Sequence, residues 1–360
     1  MTRAVSGLLS YVRTVRRFNR DVRLYLSTTA LLGFTVFGGI YPVLFNLYLL
    51  RLGYGPDFVG LINSLGGLTF ALGSLPAGVL SSRWGGRRTM IAGYGLAVLA
   101  FALLPLAEFM VPAMCSVWLA AAVVVRGLGF SLYWVNARPF LMGATEATER
   151  DHVYAVQSAL FPLTGFAGSL VAGILPGVFA GVLGVSLDHP APYRFPLWGV
   201  AAILVPGVLA LRSMREFDTG QNRTAIGEEA TRPGRVPLWP IVVMALCIFM
   251  QAASQGATAA FFNVYLDAHL SVATSTIGAI SAASQLLSSL AALSTPLLAK
   301  RWGNRQIFAW GSAGVGLAML PLALVPHWTA AALGFLGVVA LNGVAFPAIN
   351  VYQMQLVSAE

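Results

Sequence analysis

Phe45-Asn46-Leu47-Tyr48-Leu49 and Phe262-Asn263-Val264-Tyr265-Leu266 are two versions of one five-residue phrase, about 217 residues apart. A second phrase repeats at nearly the same offset: Arg83-Trp84-Gly85-Gly86-Arg87 returns as Arg301-Trp302-Gly303-Asn304-Arg305. In each copy the two phrases bracket a long apolar run, inside which Gly60 matches Gly278. Self-similarity on this scale means a chain built from two copies of one structural unit.

Composition says what solvent those copies face. Hydrophobic residues make up 57% of the 360, charged residues 10%, and mean hydropathy is +0.76. A soluble domain carries roughly 25% charged residues, so a water-facing surface can hardly be built here. Residues 24–50, 58–82, 89–107, 236–266 and 268–299 contain no Asp, Glu, Lys or Arg. Crossing about 30 Å of hydrocarbon as helix takes about 20 residues. The expected fold class is therefore an all-α polytopic membrane protein. Ten spans are read: about 24–50, 58–81, 89–108, 112–136, 153–182, 195–212, 238–266, 271–298, 306–325 and 329–352.

The net charge of +9 is not a nucleic-acid footprint. Arginines cluster in 1–23, 83–88, 138–150 and 212–235, with Lys300, Arg301 and Arg305 following. The alternate connections hold only Arg51 and Arg194. That asymmetry is the positive-inside rule, which places both termini in the cytoplasm of a bacterial-style inner membrane. The organisation expected is a basic segment 1–23, a first six-helix bundle 24–212, a cytoplasmic loop 213–237 and a second bundle 238–360. Residues 9–23 suit a basic amphipathic helix on the inner leaflet, or a topogenic charge cluster. Cys115 and Cys247 are too few for a disulfide framework or metal site.

Gly78-Val79-Leu80-Ser81-Ser82-Arg83-Trp84-Gly85-Gly86-Arg87-Arg88 resembles the loop signature of the major facilitator superfamily, with a degenerate copy at 300–305. The resemblance covers the whole chain. It implies two pseudo-symmetric helical bundles and twelve spans, and a cytoplasmic gate loop comprising Gly78, Arg83, Gly85, Arg87, Arg88, Arg301, Gly303 and Arg305. Ser82 stands where the family has Asp, so a charge-based latch at that position is in doubt. Asn136 to Glu146 aligns with Asn350 to Glu360, so two further spans are expected to complete the second copy, a ten-helix variant being the alternative.

Secondary transporters built from such repeats hold their solute between the copies. In the family the first, fourth, seventh and tenth helices line the cavity, which makes Arg126, Gln251, Gln255 and Asn342 the substrate-path candidates. Arg126 follows 17 charge-free residues, and a mid-membrane Arg costs about 2.5 kcal/mol or more unless it faces a cavity or partner. A hydrogen-bonding hub is the structural alternative. Gln251 and Gln255, at i and i+4, share a helix face, and interhelical hydrogen bonding is their structural alternative. Gly165, Gly168, Gly173, Pro176 and Gly177 partly match an antiporter pattern on the fifth span, which favours export; small-residue packing explains them equally.

None of the 13 acidic residues and none of the four histidines falls mid-span. Proton coupling normally uses such a group, so coupling would need a rim residue, helices beyond this chain, or nothing. No phosphate-binding loop supports ATP-driven transport, and no nucleophile–base pair suggests an enzyme. The expectation is a secondary transporter working by alternating access, without cofactor or metal. Its partners are a small-molecule substrate, the lipid bilayer and, if transport is coupled, an ion; it would act as a monomer without nucleic acid. Export of a small amphipathic or hydrophobic compound comes first, then uptake of a sugar or other metabolite. A non-transporting sensor or scaffold is the rival class.

Overall fold

A computed structural model describes residues 18–145, 147–215 and 238–358. All regular structure among these is helical. The elements are α1 (Arg20–Thr35), α2 (Ile40–Arg51), α3 (Pro56–Trp84), α4 (Gly86–Leu103), a 3-10 turn (Leu104–Phe109), α5 (Pro112–Ala144), α6 (Ala147–Leu183), α7 (Ala191–Arg212), α8 (Leu238–Ala268), α9 (Thr274–Trp302), α10 (Asn304–Leu324) and α11 (Trp328–Ser358). Among the described residues, nine helical stretches are long and apolar enough to cross a membrane, α1 and α2 together counting as one of 32 residues. Helix α8, with 31 residues and Asp267 as its one formal charge, spans about 46 Å at ~1.5 Å per residue. The basic segment 1–17 and most of the expected 213–237 loop lie outside the described residues.

The helices overrun the charge-free runs that announce them. Intrahelical hydrogen bonding satisfies backbone groups in lipid and in the interface alike, so α5 continues to Ala144 and α9 to Trp302, beyond the ends read from composition. The first span, read as about 24–50, is a single crossing of residues 20–51 that is broken at residues 36–39. There α1 ends and α2 begins, with Gly38 at φ +84. The left-handed region costs a Gly little, and the Gly38 carbonyl accepts a hydrogen bond from the Ser169 hydroxyl of α6 instead of continuing the helix.

The repeat is visible as backbone. Helix α3 turns into α4 at Gly85 (φ 89, ψ 145), and α9 turns into α10 at Gly303 (φ 76, ψ 151). In both, the glycine N–H closes the preceding helix at 3.0 Å, onto Ser81 O in the first copy and Ala299 O in the second. That region of φ/ψ space is essentially reserved for glycine, which is why the Arg-Trp-Gly phrase survives in both copies.

The chain divides into two compact units. One takes in α1 up to Leu32, residues 64–160 and the end of α7 from Ala201; the other takes in Gly33–Asn63, Phe161–Val200 and helices α8 to α11. In the first, Tyr25 and Tyr133 are buried and their hydroxyls need partners. Gln157 Nε2 donates to Tyr25 at 2.9 Å, and Thr28 shares a 3.4 Å hydrogen bond with Tyr133. In the second unit α11 packs along both α9 and α10, and Gly173 of α6 meets Gly278 of α9 closely enough that a Cβ on Gly278 would stand 2.6 Å from Gly173 Cα.

Candidate functional site

Within the second unit, α2, α8, α9 and α11 surround a cavity of about 610 Å³. The α1–α2 break contributes Phe37 and Gly38, α2 Pro42, and α6 approaches through Gly165, so both copies of the repeat meet here. Gln255 and Asn342 line the wall, and Gln251 Nε2 donates to Asn342 Oδ1 at 3.3 Å. Three of the four substrate-path candidates are thus brought together. Arg126 is not among the lining residues. It sits on α5 in the first unit, where a Cβ on Gly66 of α3 would stand 2.6 Å from its Nη2; only a glycine leaves the guanidinium that place.

Gln285 of α9 is a lining residue that helix-number reasoning passes over. Its carboxamide occupies space beside Gly38 and Gly165: a Cβ on Gly38 would lie 2.6 Å from Gln285 Oε1, and one on Gly165 3.5 Å. Phe262 and Phe335 add a flat apolar wall, stacked with ring centroids 3.8 Å apart and planes within 10°.

Beyond the cavity, along α2 and α8, the opening phrase of the sequence finds its use. Asn46 Nδ2 donates to Ala260 O at 2.9 Å, and Asn263 Nδ2 donates to Pro42 O at 3.1 Å. The repeat-related asparagines, 3% and 6% exposed, each bond the backbone of the opposite helix. Asn63 of α3 adds a 3.0 Å bond to Asn46 Oδ1. A turn or more further on, Arg51 and Asp267 form a bidentate pair at 2.7 and 2.8 Å, with side chains 17% and 7% exposed. Arg51 Nε donates to Leu187 O at 2.9 Å, and the guanidinium carbon lies 5.6 Å from the Tyr193 ring centre. Tyr193 in turn shares a 3.3 Å hydrogen bond with Thr274. Composition had shown Arg51 and Asp267 only as rim charges. The signal that could have found them is opposite charge at nearly equivalent repeat positions.

The gate-loop residues separate by role. Arg87 donates from Nη2 to Arg212 O and from Nε to Leu211 O at 3.5 Å, capping the carbonyl end of α7. Arg83, Arg88 and Arg301 are exposed. Gly78 has open space where a Cβ would go, so packing places no demand on it; Gly85 and Gly303 form the turns. The side chain of Arg305 lies outside the described residues. Among those residues, no group of three or more His, Cys, Asp or Glu could hold a metal ion.

The family model of the Major Facilitator Superfamily matches residues 26–360. No curated protein sequence matches. Among solved structures, a D-xylose–proton symporter is similar at 13% identity and a TM-score of 0.71, covering 92% of this chain and 81% of that one. A variant of the nucleoside transporter NupG aligns at 14% identity and 0.70, covering 95% and 83%. The inward-open xylose transporter XylE from E. coli aligns at 13% and 0.65, covering 92% and 81%. At these identities the likeness shows the fold alone.

Proposed function

Because the chain belongs to the Major Facilitator Superfamily, we propose that it is a secondary active transporter that moves a small solute by alternating access. The observation that carries this is the seal built between repeat copies over a shared cavity. Reciprocal Asn46 and Asn263 hydrogen bonds are followed by the Arg51–Asp267 pair, so α2 and α8 are closed against each other on the side poor in basic residues. A carrier needs such a closure to be strong enough to hold and weak enough to break, and a solute shifts it only through differential affinity for the two states. By the charge distribution, the sealed side faces outward and both termini face the cytoplasm of a bacterial inner membrane. The chain acts there as a monomer, with the lipid bilayer and its solute as partners and no catalytic role.

Export of a small amphipathic or hydrophobic compound is the first direction we propose, supported by the apolar wall of Phe262 and Phe335. Uptake of a sugar or other metabolite is the second, supported by the carboxamides of Gln255, Gln285 and Asn342 and by neighbours named as xylose and nucleoside transporters. Flux across proteoliposomes containing the full chain tests the proposal. Solute-dependent accumulation that is lost in Asp267→Asn supports it. Absence of flux over a broad panel of amphipathic compounds, sugars and nucleosides favours a non-transporting sensor. Loading from one face at a time gives the direction, and collapsing a pH gradient shows whether protons drive it.

A further inference from the structure

We propose that the cavity of the second unit takes an uncharged solute with a ring-sized apolar face and several hydrogen-bonding groups; this rests on the transporter assignment above. Charge is missing from its described lining: no Asp, Glu, Lys, Arg or His contributes to it. Arg126 lies in the other unit, and its repeat equivalent in the second copy is Ala340. A carboxylate or ammonium placed against this lining meets no opposite charge to offset the hydration it gives up.

The polar groups that remain are neutral and two-faced. Asn263, Thr258 and Ser284 each spend a donor on a backbone carbonyl, of Pro42, Ser254 and Ser281. The carboxamides of Gln255, Gln285 and Asn342 each carry a donor and an acceptor, and Asn342 retains its NH2 after accepting from Gln251. Gln285 reaches the cavity beside Gly38 and Gly165, where the absence of a Cβ leaves room for its carboxamide. Elsewhere in the lining, the part-exposed Phe335, stacked on the buried Phe262, gives an apolar wall the size of one ring. A volume of about 610 Å³ is that of a site for a small organic molecule. Hydroxyls or carbonyls set around a ring satisfy both walls at once; a plain hydrocarbon leaves the amides unpaired, and an ion lacks its counter-charge.

Three probes sharing one aromatic ring and one sugar ring isolate the charge. These are p-nitrophenyl β-glucoside (uncharged), p-nitrophenyl β-glucuronide (anionic) and p-nitrophenyl β-glucosaminide with a free amine (cationic). Equilibrium binding is measured to the full chain in proteoliposomes. The expected result is glucoside binding at least about 10-fold tighter than either charged probe, weakened about 3- to 10-fold by Gln255→Leu and by Gln285→Leu, as for a lost neutral hydrogen bond. Thermal melting of each variant is compared with the parent, and Gln255, exposed to the cavity, supplies the variant if Gln285→Leu fails to fold. Equal or tighter binding of a charged probe, no binding of the glucoside, or binding indifferent to well-folded variants overturns the proposal. Transport is judged separately by panel flux and by the response of the Arg51–Asp267 seal. A responsive seal with flux of other solutes, but no glucoside binding, defeats only the substrate class.

Discussion

Replacing Asp267 with Asn keeps the shape of the side chain and removes the charge that receives Arg51. Losing one partner of a fully buried ion pair costs about 3–5 kcal/mol, whereas an exposed pair is worth about 0–1. With Arg51 17% and Asp267 7% exposed, and two hydrogen bonds at 2.7 and 2.8 Å, the loss falls between these limits. A value of about 2 kcal/mol shifts the closed-to-open ratio about 30-fold. The assay uses Val339→Cys on the cavity wall, in a background where Cys115 and Cys247 are replaced. A membrane-impermeant thiol reagent is added on the Arg51 side. While the open state is a minor one, labelling rate follows its population, so Asp267→Asn should label about 30-fold faster. Arg51→Gln should do the same, and the double variant should add little to either single one, because both remove the same interaction. Labelling within about 3-fold of the parent in both single variants refutes the assignment of this pair as a seal.

Other expectations follow from the same geometry. Asn46→Leu and Asn263→Leu each remove the side-chain donor that reaches a backbone carbonyl of the other copy, and should favour the open state by about 0.5–1.5 kcal/mol; the same labelling assay reads this as a rate increase. Gly85→Ala and Gly303→Ala should each cost about 1–3 kcal/mol through strain at positive φ, seen as lowered melting temperatures. Gly78→Ala, with open space at its Cβ, should leave melting unchanged or raise it slightly. Gly66→Ala should displace the Arg126 guanidinium. If Arg126 lies on the transport path, flux then falls in both Gly66→Ala and Arg126→Ala while melting stays near the parent; wild-type flux in a folded Arg126→Ala removes that role.

What could be foreseen in the chain was what repeats or what lacks charge. Gly85 and Gly303 announce their turns because few residues other than glycine tolerate that backbone, so the phrase is preserved in both copies. The break at residues 36–39 gives no such notice: a Gly-Gly pair inside a charge-free run is equally compatible with a continuous span, and the Ser169 hydroxyl that stabilises the break lies 131 residues away. Gln255 and Asn342 were within reach from helix number and polarity, and the structure sets both on the cavity wall. Gln285 is equally polar and mid-span, but it lies on the eighth span, outside the four helices the resemblance names, and its place depends on Gly38 and Gly165, glycines from distant parts of the chain. Arg51 and Asp267 looked like ordinary rim charges, since pairing across 216 residues is set by helix packing and not by local pattern.

The asparagine pair of the opening phrase has a consequence for the history of such a chain. Asn46 reaching across to the second copy and Asn263 reaching back to the first make nearly the same contact twice, as in an isologous interface. A half-length ancestor carrying one such asparagine would have closed that contact on a second copy of itself. Every substitution at the position would then have been felt in duplicate. Fusion of the copies freed each asparagine to change alone, yet both are still present, while Arg51 and Asp267 have taken opposite charges that a symmetric dimer could not assign to one position.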